Sequence, residues 1–276
     1  MFRSILFLFI CLVSPSWSCA AESLQFGVLN QRSILLTAQL WNPILEYVSA
    51  KSGVALTLKM GKTAQDTMAM AERGEFDLVY TNQFFTPERE KLGYHPVVRF
   101  NIPGIRGQIV VRADSPYQQL ADLQGLRVAF PSPEGFAGYK LPMAALVKAG
   151  VKVQPVFTGN QEAAMARLQL GHVAAAGVNS RLMSSYAQRE LFNYRVLYTS
   201  GSYMNFPVMV NARVPESTIQ KVQQAFLGMA DDSMGRKILQ MTSTLLKSEQ
   251  TLSFVVANDK DYDSYRQLYR ETRLKE

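Results

Sequence analysis

Along most of this 276-residue chain, short apolar runs with strand-like spacing alternate with amphipathic stretches. "LQFGVL" (24–29) predicts a strand, and "ILLTAQLWNPILEYVSAKSG" (34–53) a helix that closes on Gly53 with Pro43 placed to kink it. "VALTLKM" (54–60), "TAQDTMAMAERG" (63–74) and "FDLVYTN" (76–82) continue as strand, helix and buried strand. A second series follows: "GQIVVRA", a short helix near 118–124, "LRVAF", a helix over 136–150, "VKVQPVF", "QEAAMARLQLG" and "HVAAAGVN". "YRVLYTS" (194–200) and "FPVMVN" (206–211) predict two more strands, and residues 216–273 a helical C-terminal third. Such alternation predicts an α/β fold with a largely parallel sheet.

The two series resemble each other. Without a gap, residues 51–82 lie on residues 148–179, matching Lys, Gly, Val, Met-Ala, Gly and the final Asn as well as the apolar pattern. A true repeat implies two like α/β lobes with a cleft between them. Ligands in open α/β sheets bind outside the carboxyl ends of the strands, where helix N-termini also point. Tyr80-Thr81-Asn82 and Gly177-Val178-Asn179 then face one gap, joined by the ends of strands 24–29 and 127–130.

The first residues stand apart from this pattern. "ILFLFICLV" (5–13) follows Arg3 and is too short to span a bilayer, and "SPSWSCAA" follows it with small residues. These features predict a secretory signal peptide over 1–20, cut after Ala20 or Ala21. Cys19 raises a lipoprotein alternative, disfavoured because Trp17 sits where a lipobox needs a small residue. Cys11 and Cys19 are the only cysteines, so the mature chain carries none and relies on its core.

Charge narrows the partners. The formal net charge is +7, and cleavage with Arg3 lowers it by one. The surplus favours anions. No basic cluster is interleaved with aromatics, which argues against nucleic acid.

One loop invites an anion. In "RVAFPSPEGFAGYKLP" (127–142), Pro131 and Pro133 stiffen a turn after a short strand, and Ser132 offers a hydroxyl. Gly135, Phe136, Ala137 and Gly138 then bring the start of a helix, with its free N–H groups, close to whatever sits in the gap. Any strand-to-helix turn offers something similar.

Here the residues resemble a known family. "FGVLNQRS", "LWNPILEYVSAKSGV", "GEFDLVYTN", "GQIVVRADSPYQQLADLQGLRVAFPSPEGFAG", "ALVKAGV" and "VPESTIQKVQQAFLGM" are similar to the periplasmic phosphate/phosphite/phosphonate-type substrate-binding proteins of ABC transporters. The resemblance implies a type II periplasmic binding fold with two α/β lobes and two hinge crossings, near 103–108 and 201–207. It divides the chain into residues 21–105 with 205–276 as the first lobe and 106–204 as the second. It also implies a monomer that takes a small ligand and docks on an ABC permease.

Carried residue by residue, the resemblance gives a ligand site with two departures. Relatives hold phosphonyl oxygens with hydroxyls and N–H groups after the Pro of the loop, where this chain has Gly135, Phe136 and Ala137, leaving Ser132 and the backbone. Asn160 stands where several relatives place a ligand-facing His, and it donates and accepts without charge. Gln31 and Arg32 follow the first strand, and Arg32 could pair bidentately with an anion. Tyr80 and Phe136 could form an apolar wall, and Glu134 could receive an amine, making a zwitterion an alternative ligand. Thr81, Asn82 and Asn179 complete the set. Against these, Arg32 reads equally as a surface charge, Phe136 as lobe packing and Glu134 as a helix-start acid.

Catalytic patterns are absent: there is no G-x-S-x-G, H-E-x-x-H, Walker or G-x-G-x-x-G motif. With His95 and His172 alone, no metal site or cofactor is expected. Glu72/Glu75 and Asp231/Asp232 read as solvated pairs. The expected role is therefore exported ligand capture for a transporter. A membrane histidine kinase or cyclic-dinucleotide enzyme as the docking partner, or an enzyme on the same fold, are the alternatives.

Overall fold

The computed structural model describes residues 23–30, 32–246, 248 and 250–272, so the proposed leader and Gln31 lie outside the described residues. The chain begins with β1 (Leu24–Val28), α1 (Ile34–Ser52), β2 (Leu56–Lys59), α2 (Ala64–Glu72), β3 (Leu78–Tyr80) and β4 (Tyr94–Phe100). Next come β5 (Gly107–Arg112), β6 (Arg127–Phe130), α3 (Leu141–Lys148), β7 (Gln154–Phe157), α4 (Gln161–Gln169), β8 (Ala175–Asn179), α5 (Ser180–Glu190) and β9 (Tyr194–Thr199). It closes with β10 (Pro207–Asn211), α6 (Glu216–Leu227), α7 (Ser233–Leu246), β11 (Phe254–Val256) and α8 (Asp263–Thr272).

The strands form two sheets, ordered β11-β4-β10-β3-β1-β2 and β7-β6-β8-β5-β9. In each, a central strand is flanked by two parallel partners: β2 and β3 beside β1, β7 and β8 beside β6. Two antiparallel strands extend each set, β10 and β4 in the first, β5 and β9 in the second. The first sheet adds β11 at its edge.

Residues 51–82 and 148–179 share local chemistry as well as order. Thr63 caps α2 and Asn160 caps α4, each side chain accepting a hydrogen bond from a backbone N–H in the first turn. Gly53 and Gly150 both turn left-handed, at φ 70° and 69°, before β2 and β7.

The sheet expected to be largely parallel is instead two mixed sheets. Among the described residues five of nine strand pairings are antiparallel, because the crossing strands β5 and β10 run against their neighbours and β11 runs against β4. Three further differences from the sequence expectations concern single elements. The C-terminal third is helical but broken by β11, which pairs with the edge of β4. The helix expected over 136–150 opens as a π turn, Phe136–Lys140, before α3. That turn is pressed onto β5 and β8 so closely that a Cβ on Gly177 would lie 2.5 Å from the Gly138 carbonyl, and one on Gly107 would lie 2.5 Å from that of Ala137. β4 and α5 were not indicated by the apolar pattern.

The chain passes from the first sheet to the second over residues 101–106 and returns over 200–206. The two crossings are tied together: Ile105 N–H donates to Tyr203 O at 2.7 Å, and Tyr203 N–H to Ile105 O at 2.9 Å. The first sheet packs α1 and α6 through Phe26, Trp41, Ile44 and Phe226, and the second has its own cores around Val110, Val178 and Phe130. A further cluster joins the two, with Phe136, Ala137 and Leu141 among Phe84, Phe85, Tyr262 and Tyr265.

Candidate functional site

A cavity of about 160 Å³ lies between the sheets, against the crossings. Val28 and Leu29 at the end of β1, Arg32, Thr37, Leu40 and Trp41 at the start of α1, and Tyr80 at the end of β3 form one side. Asn179, Arg181, Leu182 and Ser185, where β8 runs into α5, form the other. Phe100, Ile102, Ile105, Asn205 and Phe206 floor it.

Arg32 directly precedes the Ser33 cap, whose Oγ accepts from Leu36 N–H, so the guanidinium stands at the N-terminal end of a 19-residue helix. Arg181 occupies the first turn of α5, whose cap Asn179 accepts from the Arg181 and Leu182 N–H groups. A cation at a helix N-terminus opposes the macrodipole. Two such cations face one cavity whose lining has no carboxylate. Among the described residues the Arg32 side chain makes no hydrogen bond or ion pair, and burial presses its pKa below the ordinary value, with Tyr80 and Glu162 acting the other way. An anion beside Arg32 would offset this burial.

The rest of the wall is aromatic. Tyr80 packs against Trp41, Phe206 and Phe100 at ring-centroid distances of 4.7, 5.5 and 6.1 Å. Burial lifts the Tyr80 phenol well above its usual pKa, with Arg32 opposing, so near neutrality it is an uncharged O–H donor.

A smaller pocket of about 70 Å³ adjoins the first and shares Leu29, Ile105, Asn179, Leu182 and Phe206 with it. Ser132, Glu134, Gly135, Phe136, Ala137 and Asn160 line it. Most of these side chains already have partners. Glu134 Oε2 accepts from Arg89 Nη1 at 2.9 Å, with the two side chains 14% and 7% exposed, and Glu134 O accepts from Gln83 Nε2 at 2.6 Å. Phe136, 2% exposed, stacks on Tyr265 at 4.2 Å and meets Tyr203 edge-on at 5.1 Å. Lys140 lies over the Tyr269 ring at 5.5 Å. The loop thus holds the second sheet's end against the first sheet's aromatic cluster.

Of the residues read from sequence, the structure brings Arg32, Tyr80 and Asn179 to the larger cavity and Ser132, Glu134, Gly135, Phe136, Ala137, Asn160 and Asn179 to the smaller. Thr81 and Asn82 are fully buried and line neither. Asn82 Nδ2 donates to the Tyr265 hydroxyl at 3.3 Å and its Oδ1 accepts from Gln83 Nε2, so it supports the surface on which Phe136 docks. Sequence reasoning missed Arg181, Trp41, Phe206 and Gln83. An N-cap reading of "NSRLMSSY" would have found Arg181, because it places that residue in the first turn after Asn179.

Among the described residues no group of His, Cys, Asp and Glu is placed to hold a metal ion, and no helix is long and apolar enough to cross a membrane.

Comparison with known proteins adds the family. The model for the ABC transporter, phosphonate, periplasmic substrate-binding protein family matches residues 26–262. The chain is similar to PhnD1 from Prochlorococcus marinus in complex with methylphosphonate, with 15% identity, TM-score 0.76, and coverage of 92% of this chain and 100% of that one. A binding protein component of an ABC phosphonate transporter from Pseudomonas aeruginosa matches with 15% identity, TM-score 0.75, and coverage of 92% and 87%. The periplasmic aliphatic sulphonate binding protein of Escherichia coli matches with 18% identity, TM-score 0.58, and coverage of 92% and 88%. These likenesses establish the type II periplasmic binding fold.

Proposed function

The chain belongs to the family of periplasmic substrate-binding proteins of ABC phosphonate transporters, and we propose that it captures a small organic anion of the phosphonate class and presents it to a membrane permease. The observation that carries this reading is the pair Arg32 and Arg181, one from each side of a cavity without a carboxylate. An anion between them meets a cation from each lobe, so binding favours the closed arrangement.

On this reading the lobes are residues 21–105 with 205–276 and residues 106–204, and the hydrogen-bonded crossings at 105 and 203 are the hinge. The protein acts as a monomer in the periplasm, after loss of residues 1–20, and binds its ligand without converting it. The ligand is an anion rather than a zwitterion, because Glu134 is engaged by Arg89.

The test is calorimetric titration of the chain from Glu22 onward with a series of phosphonates, phosphate and sulfate. At least one phosphonate should bind, and at about a hundred times its Kd it should raise stability by roughly 2.7 kcal/mol, seen as several degrees in Tm. Arg32→Gln should weaken that ligand by roughly 10- to 100-fold, as expected for a lost charge-assisted hydrogen bond. Absence of binding by every phosphonate would remove the reading. Uptake of the bound phosphonate should also be lost from cells lacking this protein.

A further inference from the structure

We infer that the ligand's anionic head carries an apolar body about the size of a benzene ring, which on the reading above makes it an aryl- or compact alkylphosphonate. The inference rests on that reading only for the phosphorus in the head. The body follows from the cavity.

Size comes first. The cavity that Arg32 and Arg181 both line is about 160 Å³, and Arg32 also borders a wider cleft of about 720 Å³ into which a head group can extend; an apolar protein cavity of about 150 Å³ accommodates benzene. A bare methyl group would leave most of it empty. Unfilled apolar space forfeits contact with every wall atom it should touch.

The chemistry of the wall agrees. Away from Arg32 and Arg181 the surface is built from Trp41, Tyr80, Phe100 and Phe206, with Leu40 and Leu252. An aminoalkyl substituent would be buried there with no carboxylate to meet its ammonium, a costly arrangement. The carboxylates nearby line neighbouring pockets and already have cation partners: Glu134 is held by Arg89 at 2.9 Å and Glu162 by Arg189 at 3.1 Å. An inorganic oxyanion would satisfy the arginines but leave the aromatic wall wet.

The small pocket at Phe136 is too tight to seat such a body. It measures about 70 Å³, and the Phe136 ring beside it is packed on Tyr265 and Tyr203. The anionic head therefore sits at the arginine end and the body runs toward Trp41 and Tyr80.

Trp41 supplies its own reporter. The sequence has two tryptophans, and Trp17 falls in the proposed leader, so a chain beginning at Glu22 has Trp41 as its single indole. Phenylphosphonate, tert-butylphosphonate, methylphosphonate, 2-aminoethylphosphonate and inorganic phosphate would be titrated calorimetrically and by Trp41 emission, with benzenesulfonate and benzoate as controls for the head. Phenylphosphonate should bind about 100-fold tighter than methylphosphonate, from the added apolar burial. It should also give the more negative heat-capacity change and alter Trp41 emission.

Methylphosphonate, aminoethylphosphonate or phosphate binding as tightly as phenylphosphonate would overturn this inference and leave phosphonate capture standing. Binding of benzoate or benzenesulfonate with no phosphonate bound would uphold the apolar body and overturn the phosphonate head. Failure of all seven would overturn both.

Discussion

The junction from β1 into α1 and the junction from β6 into α3 occupy the same place in their sheets, each leaving the central parallel strand. Their helices start differently. The first is capped by Ser33 in the ordinary way and leaves open space before it, into which Arg32 and Trp41 face. The second has no side-chain cap, winds its first turn as a π helix and drives Phe136 into the aromatic cluster of the other lobe. Shared topology has produced a cavity wall at one junction and an interlobe contact at the other. The ligand-facing role expected of the second loop passes, on our reading, to the first junction and to the start of α5.

Breaking the contact junction should have the largest effect. Phe136→Ala should cost about 3–5 kcal/mol in urea unfolding, as for other buried aromatics, and should enlarge the ligand-free protein in solution X-ray scattering. An unchanged midpoint and radius would mean that the two junctions do not differ in this way. Glu134→Gln, which leaves the buried Arg89 short of a charge, should cost about 3 kcal/mol. Glu72→Gln, at the half-exposed partner of the same arginine, should cost under about 1 kcal/mol by the same measurement.

Asn82→Ala separates support from binding. It should lower stability by about 1–2 kcal/mol through the lost bonds to Tyr265 and Gln83, while calorimetric affinity stays within about threefold of wild type. A tenfold loss of affinity with unchanged stability would return Asn82 to the site. The smallest effects sharpen the repeat: Thr63→Ala and Asn160→Ala should each cost about 1 kcal/mol of stability, equally, if both are simply caps. A loss of affinity in Asn160→Ala alone would show that the second copy has also taken up the ligand.

The repeat was legible in sequence because its signals are local: caps at Thr63 and Asn160, left-handed glycines at 53 and 150, and apolar strand runs between. β4 was hidden by Pro96, which argues against a strand. The sheet accommodates it where the register shifts: Val208 pairs with Val98 and Met209 with Pro96, leaving Val97 as the extra residue. α5 was hidden because "SRLMSSYAQRE" buries only Met183 and Tyr186. With α5 unread, Arg181 had no place in the site. The π turn at 136–140 has no local code at all, since it depends on backbone packing against β5 and β8. Resemblance to a family pointed to the loop, but the partners that engage Glu134 and Phe136, namely Arg89, Tyr265 and Tyr203, lie far away in sequence.

The position of β10 bears on how the chain is made. In the first sheet β10 lies between β3 and β4, so these two earlier strands do not touch each other and are joined only through a segment synthesised more than a hundred residues later. The second sheet is continuous in sequence from β5 to β9 and needs nothing from outside it. During synthesis or translocation the second lobe can therefore assemble first, while the first waits for residues 207–211 to emerge. A middle strand that arrives late keeps the first lobe's sheet, and the cavity wall it carries, incomplete until most of the chain has been made.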